Sequence, residues 1–228
     1  MSDAAAINSS VTASRIRVAA RTLAKAGLVH AYGHCSARLG EHEFLVSPPK
    51  PLGLVSGQDA PVVVATTGKL PVGALPEVIA HQHIYRLRAD VGGVVRFQAP
   101  HVMALSVLGR TPRALHGFGA YFAPCPPLHP DPRLVRDEAG AAALAERMGG
   151  ARAIVMRGNG AITVGATLEE AVALAWYLED AARVELAVLN TGLEPLVFTE
   201  EEVRDRAIDL GSMLQRMWNW MSADDPEL

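Results

Sequence analysis

Apolar residues first recur at the three- and four-residue spacing of a helix face at Val18, Ala19, Leu23 and Leu28. Gly27 stands where this helix would end, so the pattern predicts a helix over about 14–27. Residues 1–13 are small and polar and show no period. We expect them to form a flexible tail, with the folded domain spanning 14–228.

Short apolar or alternating segments bounded by turn residues predict strands farther along the chain. Residues 35–40 and 43–47 have the pattern of a hairpin, and a third strand is expected within 61–67. More strands are predicted at 92–98, 152–157 and 161–164, the last two joined by a Gly-Asn-Gly turn.

Helical patterns separate these strands. Thr167 and Glu170 predict a capping box at the start of one helix. Pro and Gly are so frequent in 110–135 that we expect a loop there, with room for one strand. The helices are expected at 77–88, 101–108, 137–148, from Thr167 to Leu189, and at 199–221. The mixture predicts an α/β layered domain, a mixed sheet with helices on its faces.

Composition excludes several classes of function. With 21 basic against 24 acidic residues and no basic stripe, the chain is a poor candidate for binding nucleic acid or an anionic membrane. No apolar run approaches the roughly 18 residues that span a bilayer, and the first residues lack the order of a secretory signal. Cys35 and Cys125 form no CxxC pair, which favours a reducing cytoplasm.

A glutamate and a histidine are the first candidates for chemistry. Glu77 and His81 are four residues apart in the predicted helix and would share a face, whereas His83 would point elsewhere. The pair could be a base with its orienting partner, or half of a metal site. The alternative, which this spacing alone favours, is an ordinary hydrogen bond at the surface or core edge.

An arginine inside an apolar strand is the second candidate. Arg96 lies within 92–98, and Gln98 follows on the same face of the sheet. Burying a guanidinium is costly unless it meets an anion, so Arg96 requires a structural carboxylate or a bound anionic ligand.

Polar residues in turns beside strands complete the set. His34 and Asn159 are flanked by glycines, whose backbone N–H groups could face an anion or only satisfy the turn. Ser47 and Lys50 stand at another strand end, where an acidic ligand could sit, although a solvated lysine is the simpler interpretation.

Taken in order, five segments resemble the class II aldolase and adducin family. They are GLVHAYGHCSAR, VSPP, EVIAHQHIYRLRADV, VVRFQAPHVMALS and MRGNGAIT, and the resemblance covers about 14–190. The segment SPPKPLGLVSGQD and the terminal RMWNW resemble the decarboxylase-like branch of this family, which includes hydroxypyridine-dicarboxylate decarboxylases, more than its sugar-phosphate aldolases.

The resemblance implies a three-layer α/β domain whose central, mainly antiparallel sheet of about nine strands is covered by helices. It also implies a homotetramer with sites at subunit interfaces, and a divalent metal on three histidines. Those histidine positions fall on Arg96, Gln98 and Asn159 here. A guanidinium and two amides cannot reproduce such a site, so we expect no metal and no other cofactor, while Glu77 matches the family's acid/base glutamate.

Three interpretations follow from this departure. In the first, a carbon–carbon lyase of decarboxylase or retro-aldol type acts without a metal. Arg96 would hold a carboxylate or enolate, Gln98 and Asn159 would donate hydrogen bonds, and Glu77 would move the proton. In the second, the fold persists as a noncatalytic binding or assembly module, as in the head of adducin. The donor-rich residues favour the first.

The third interpretation places a metal on other residues, drawn from Glu77, His81, His83 and His101. Their geometry would be poor, because His83 leaves the helix face that Glu77 and His81 share.

A small anionic substrate is the expected partner. Its contacts are expected from Gly33, His34, Ser36, Ser47, Lys50 and His116. This mixed set favours a carboxylate over a phosphate. His116 lies where decarboxylase-like relatives tend to carry a histidine, although it could equally be a packed loop residue. Cys35 has no activating arrangement and is expected to be a buried small residue.

Overall fold

A seven-stranded sheet forms the centre of the domain in a computed structural model, which describes residues 3–208 and 212–228. The strands are β1 (His34–Arg38), β2 (Glu43–Val46), β3 (Val62–Ala65), β4 (Gly93–Phe97), β5 (Leu128–His129), β6 (Ala153–Met156) and β7 (Gly160–Gly165). Their order is β3-β2-β1-β4-β7-β6-β5. Every neighbouring pair is antiparallel except β5 and β6. The predicted α/β class is confirmed, but the described residues form fewer strands than the expected nine.

Helices cover both faces of this sheet. They are α1 (Asp3–Lys25), α2 (Ile79–Leu87), α3 (Pro100–Val107), α4 (Glu138–Met148), α5 (Leu168–Leu189), α6 (Glu200–Arg206) and α7 (Met213–Ser222). Apolar side chains of α2 and α4 form one core with the sheet, and those of α1, α3, α5 and α7 form the other. None of the helices in the described part of the chain is long and apolar enough to cross a bilayer.

The strand alternation separates these two cores. Val95 and Phe97 of β4 belong to the core on the α5 side, whereas Val94 belongs to the core on the α2 side. Arg96 shares the face of Val94, because successive side chains of a strand point to opposite faces. The polar residues of β4 and β1 therefore face α2.

The two ends of the chain differ from the predictions. Helix α1 begins at Asp3 rather than at residue 14, so the first helix is longer than predicted and includes 3–13. The alanines at 4–6 favour helix, and extending an existing helix needs no new nucleus. The helix predicted at 199–221 is two helices, and Ser212 before the second has a φ of 55°, outside the helical range.

Helix α5 is anchored closely at its start. The Thr167 hydroxyl accepts the Glu170 N–H at 3.2 Å. The Glu170 carboxylate instead accepts the Ala166 N–H at 2.9 Å, so only half of the predicted capping box forms. Gly93 of β4 lies against this turn: a carbon added there would be 2.5 Å from the Leu168 nitrogen and 2.6 Å from the Thr167 carbonyl oxygen. Only a residue without a side chain allows this contact.

We predict that Gly93→Ala lowers the free energy of unfolding by about 3 kcal/mol or more, because helix and strand must move apart. Gly40→Ala is the matched control, since nothing lies within 4 Å of a carbon added there. It should change stability by less than about 0.5 kcal/mol. Urea denaturation measures both, and equal midpoints for the two variants would contradict the packing described.

Candidate active site

A cavity of about 610 Å³ opens at one end of β1 and β4. Its apolar walls come from Tyr32, Pro49, Pro51, Leu75, Pro76 and Leu134. Its charged groups are Lys50, Glu77, Arg96 and Arg136, beside Gly33, His34 and Gln98. The sequence-predicted residues that reach this cavity are therefore Gly33, His34, Lys50, Glu77, Arg96 and Gln98. Lys50 also pairs with Asp59 at 3.0 Å, and the remaining excess of positive charge favours an anionic ligand.

Arg96 is buried at the edge of this cavity, with 7% of its surface exposed. Its Nη2 donates to the Asn159 side-chain oxygen at 2.6 Å and to the Asn159 carbonyl at 3.3 Å. Burial lowers the pKa of Arg96 to about 10, against the opposing effect of Glu77, so the group stays charged at neutral pH. No carboxylate in the described chain lies within ion-pair distance of Arg96. Within the described chain, Arg96 therefore has no structural carboxylate partner.

Asn159 holds Arg96 rather than lining the cavity. Its side-chain oxygen also accepts the Gln98 Nε2–H at 3.1 Å. Gly160, at φ +81°, presses this turn against β4, where a side chain would overlap the Phe97 carbonyl oxygen. The amide and guanidinium groups are thus fixed relative to each other.

These three positions do not fit a divalent metal. The Asn159 oxygen is already used by two donors, and Arg96 brings a positive charge that a cation would have to approach. Over the residues described, no group of three His, Cys, Asp or Glu side chains is placed to hold a metal ion.

The residues considered as alternative metal ligands do not form one site either. Each of them has a partner elsewhere: Glu77 with Arg136, His81 with His34 and Ser36, His83 with Glu138, and His101 with Glu179. The donor chemistry here does not suit the family's metal in either arrangement.

Glu77 faces the cavity from a 3-10 turn at 76–78 that precedes α2. Its Oε1 accepts from Arg136 at 2.6 Å. The predicted pairing with His81 was wrong, because Glu77 does not lie in the α-helix and the four-residue spacing does not bring the two together. Arg136 was missed by the sequence analysis, since nothing in its Pro-rich loop distinguishes it from a solvated arginine.

A chain of buried hydrogen bonds lies behind the cavity wall. His34 Nδ1 is 2.8 Å from His81 Nε2, and His81 Nδ1 is 2.6 Å from the Ser36 hydroxyl. The Ser36 hydroxyl is 3.0 Å from the Tyr85 hydroxyl. Burial lowers the pKa of His81 to about 3 and that of His34 well below its usual range, and the charge of Arg96 adds to both effects.

Gly33 lets this chain reach the cavity. At φ +142° it turns the backbone into β1, and a carbon added there would be 2.6 Å from the Val29 side chain. Sequence reasoning did not identify Tyr85, although its position four residues after His81 on one helix face was the available signal.

Three residues predicted to contact substrate, Ser36, Ser47 and His116, do not line the cavity. The Ser47 hydroxyl accepts the Cys35 N–H at 3.3 Å, and Ser36 belongs to the buried chain. His116 Nε2 is 3.7 Å from Asp180 of α5, which draws it to the opposite side of the sheet. Cys35 is buried as expected, and burial raises the pKa of its thiol to about 12.

Comparison with known proteins places this arrangement in a family. Residues 14–186 match the family described as Class II Aldolase and Adducin N-terminal domain. The chain belongs to this family. The resemblance found in the sequence is thereby confirmed.

Members of the class II aldolase family resemble this chain in sequence and in structure. It is 30% identical over 196 residues to a 3,4-dihydroxyphthalate decarboxylase of Arthrobacter keyseri, covering 78% of each chain. A decarboxylase of the same name from Terrabacter sp. (strain DBF63) is 29% identical over 190 residues, covering 76% of this chain and 80% of that one. An L-fuculose 1-phosphate aldolase from Glaciozyma antarctica PI12 shares the fold at a TM-score of 0.79 with 21% identity, and the match covers 97% of this chain and 92% of that one.

These relatives support the decarboxylase-like branch, and they identify the chain as an enzyme of the carbon–carbon lyase type. The noncatalytic interpretation receives no support from them.

We predict that stability falls as pH falls from 6 to 5. His34 and His81 stay neutral in the folded protein there, whereas in the unfolded chain both take up protons near pH ~6.5. The unfolded state therefore binds more protons, and the pair lowers the free energy of unfolding by about 2 kcal/mol over that unit. This contribution is fully present above pH ~6.5.

Urea denaturation at pH 7, 6 and 5 measures the slope. His81→Asn should make it shallower, and His42→Asn, at a side chain that is 85% exposed, should leave it unchanged. A slope that His81→Asn leaves intact would show that the buried histidines are not its source.

Proposed function

We propose that the chain is a metal-independent decarboxylase acting on a hydroxylated aromatic carboxylate. The observation that carries the proposal is Arg96, a buried guanidinium without a carboxylate partner in the described chain, at the wall of a cavity. An anion bound there would offset the cost of removing the cation from water.

The cavity supports an aromatic substrate of this kind. Its proline, leucine and tyrosine walls suit the faces of a flat ring, and its cations suit carboxylates at the ring edge. The substrate named for the two relatives, 3,4-dihydroxyphthalate, is a benzene ring with two adjacent carboxylates, one of them beside a hydroxyl. Lys50 and Arg136, which pair with Asp59 and Glu77 in the structure, would exchange these partners for the carboxylate that stays.

The proton path begins at Glu77. Its carboxylate takes the proton of the ring hydroxyl beside the leaving carboxylate, and the electrons of that oxygen move into the ring. Glu77 then returns the proton to the ring carbon that bears the carboxylate, which gives a nonaromatic ketone. The bond to the carboxylate breaks, carbon dioxide leaves, and the bond electrons restore the ring as a phenolate. A proton from water completes the product.

Arg96 acts where charge develops in this sequence. The ring oxygen gains negative charge when its proton is removed and again when carbon dioxide leaves, and a fixed guanidinium beside it stabilises that charge by several kcal/mol. Asn159 and Gln98 keep the guanidinium in place, so little reorganisation accompanies the reaction. Arg136 releases Glu77 when it binds the carboxylate that stays.

We also propose the homotetramer and the cytoplasmic location expected from the sequence. Tyr32 and Leu134 at the cavity wall are 73% and 45% exposed, and Trp220 of α7 is 66% exposed, which supports contacts between subunits. Both cysteines are free thiols, which agrees with a reducing compartment.

We predict that Arg96→Met weakens binding of 3,4-dihydroxybenzoate, the product of the proposed reaction, by about tenfold to a hundredfold, because the ring hydroxyl beside Arg96 loses its charge-assisted hydrogen bonds. Calorimetry measures the dissociation constant. Arg133→Met, which removes an exposed arginine paired with Asp131, is the control and should bind normally. If Arg96→Met does not fold, Arg96→Lys tests the same site. Unchanged binding by the folded variant would refute the proposed anchor.

We predict that protein dialysed against a chelator still releases carbon dioxide from 3,4-dihydroxyphthalate, with far less than one metal ion per subunit by elemental mass spectrometry. Glu77→Gln should lower turnover by about a hundredfold or more, since the proton carrier is lost. Glu138→Gln, at a carboxylate paired with His83, is the control and should turn over normally. Activity that vanishes with a stoichiometric metal and returns on its addition would reject the metal-independent reaction.

A further inference from the structure

His34 ends the buried hydrogen-bond chain at the cavity. Its Nδ1 contacts His81, but its Nε2 is buried without a hydrogen-bond partner. The residue is 3% exposed and lines the cavity. A buried polar atom in this position needs a partner, which a molecule bound in the cavity would supply.

The direction of the hydrogen bonds along this buried chain decides whether Nε2 of His34 carries a proton. Within the described chain, the acceptor that the Tyr85 hydroxyl reaches is the Ser36 oxygen, and the other group facing it, the Val94 backbone N–H, is itself a donor. Tyr85 therefore donates to Ser36, and the Ser36 proton goes to His81 Nδ1. His81 then carries its proton on Nε2 and donates it to His34 Nδ1.

The tautomer of His34 follows from the same order of donors and acceptors. A neutral imidazole has one N–H, and with Nδ1 of His34 accepting, that N–H is at Nε2. The reverse order would leave the Tyr85 hydroxyl as a buried donor without an acceptor, which is costly.

We propose that Tyr85, Ser36 and His81 are positioning residues that hold His34 as a neutral hydrogen-bond donor, through Nε2–H, to the substrate oxygen that becomes negatively charged. This inference rests on the proposed function for the identity of the oxygen, but the protonated nitrogen follows from the hydrogen bonds alone.

The position of His34 suits this role. His34 and Arg96 are directly paired across β1 and β4, so their side chains lie next to each other on one face of the sheet. One oxyanion can accept from both. The other tautomer would turn a lone pair toward the same oxygen and repel it, so the proton order of a buried chain sets the sign of the interaction.

The tautomer is tested without substrate by magic-angle-spinning NMR of sedimented protein labelled with 15N-histidine. We expect the His34 signals, identified by their loss in His34→Gln, to show a neutral ring protonated at Nε2 between pH 6 and 8. Tyr85→Phe removes the group that fixes the order, so these signals should shift toward the other tautomer. Tyr121→Phe removes a hydroxyl bonded to the Ile208 carbonyl instead, and should leave them unchanged.

Binding of 3,4-dihydroxybenzoate by calorimetry tests the contact itself. His34→Gln keeps an N–H donor and should bind within about threefold of the original protein, whereas His34→Leu should bind about tenfold more weakly. Tyr85→Phe should also weaken binding, because the other tautomer of His34 presents a lone pair to the ligand.

The outcomes separate this inference from the proposed function. A His34 ring protonated at Nδ1, or doubly protonated at pH 6 to 8, overturns the inference whether or not the enzyme decarboxylates its substrate. Normal binding by His34→Leu, with binding lost in Arg96→Met, overturns the donor role while the proposed function stands. Normal binding by Arg96→Met refutes the proposed anchor, and the NMR result still decides the tautomer.

Discussion

The burial of one cation organises the candidate active site. Arg96 lies in a strand whose other residues are apolar, and removing its guanidinium from water carries a cost that no ion pair within the described chain offsets. Asn159, itself held by Gln98, fixes the guanidinium through a neutral contact, and Glu77, whose charge acts on Arg96 without an ion pair, is bound to Arg136 instead. In the proposed function, an anion bound beside Arg96 gains the electrostatic attraction that no ion pair uses.

The position of this cation depends on the layered architecture. The α2 side of the sheet carries an apolar core beneath α2 and α4, and the polar residues His34, Ser36 and Arg96 lie at its edge, where β1 and β4 meet the cavity. The α5 side is apolar along β4, and Gly93 lets α5 approach it closely. The α2 face of the sheet thus carries the polar residues of the site, and the α5 face packs against an apolar core.

Local patterns predicted most elements of this fold because they depend on neighbours in sequence. The alternation in β1, β2 and β4, and the threonine that begins α5, act over a few residues. Arg96 could be recognised for the same reason, since a charge within an apolar strand is conspicuous. The end of the chain was harder: the segment 199–221 has a continuous helical pattern, yet one helix ends at Arg206 and another begins at Met213.

Contacts between distant segments could not be predicted in this way. Arg136 reaches Glu77 across 59 residues, and the pairing of Ser36 with His81 spans 45. His116 was assigned to the site by resemblance, and only the packing of its loop against Asp180 shows that it lies elsewhere. The Glu77–His81 pair failed because one turn of a different helix type altered the geometry.

The attachment of this cation to the polypeptide has a consequence for the cell. A guanidinium is made with the chain, so every folded copy carries its positive charge from synthesis onward, whereas a bound ion must be acquired and retained. The charge of Arg96 does not depend on the supply of metal ions, and proteins or small molecules that chelate transition metals cannot remove it. An active site built on such a residue keeps its charge through starvation for trace elements.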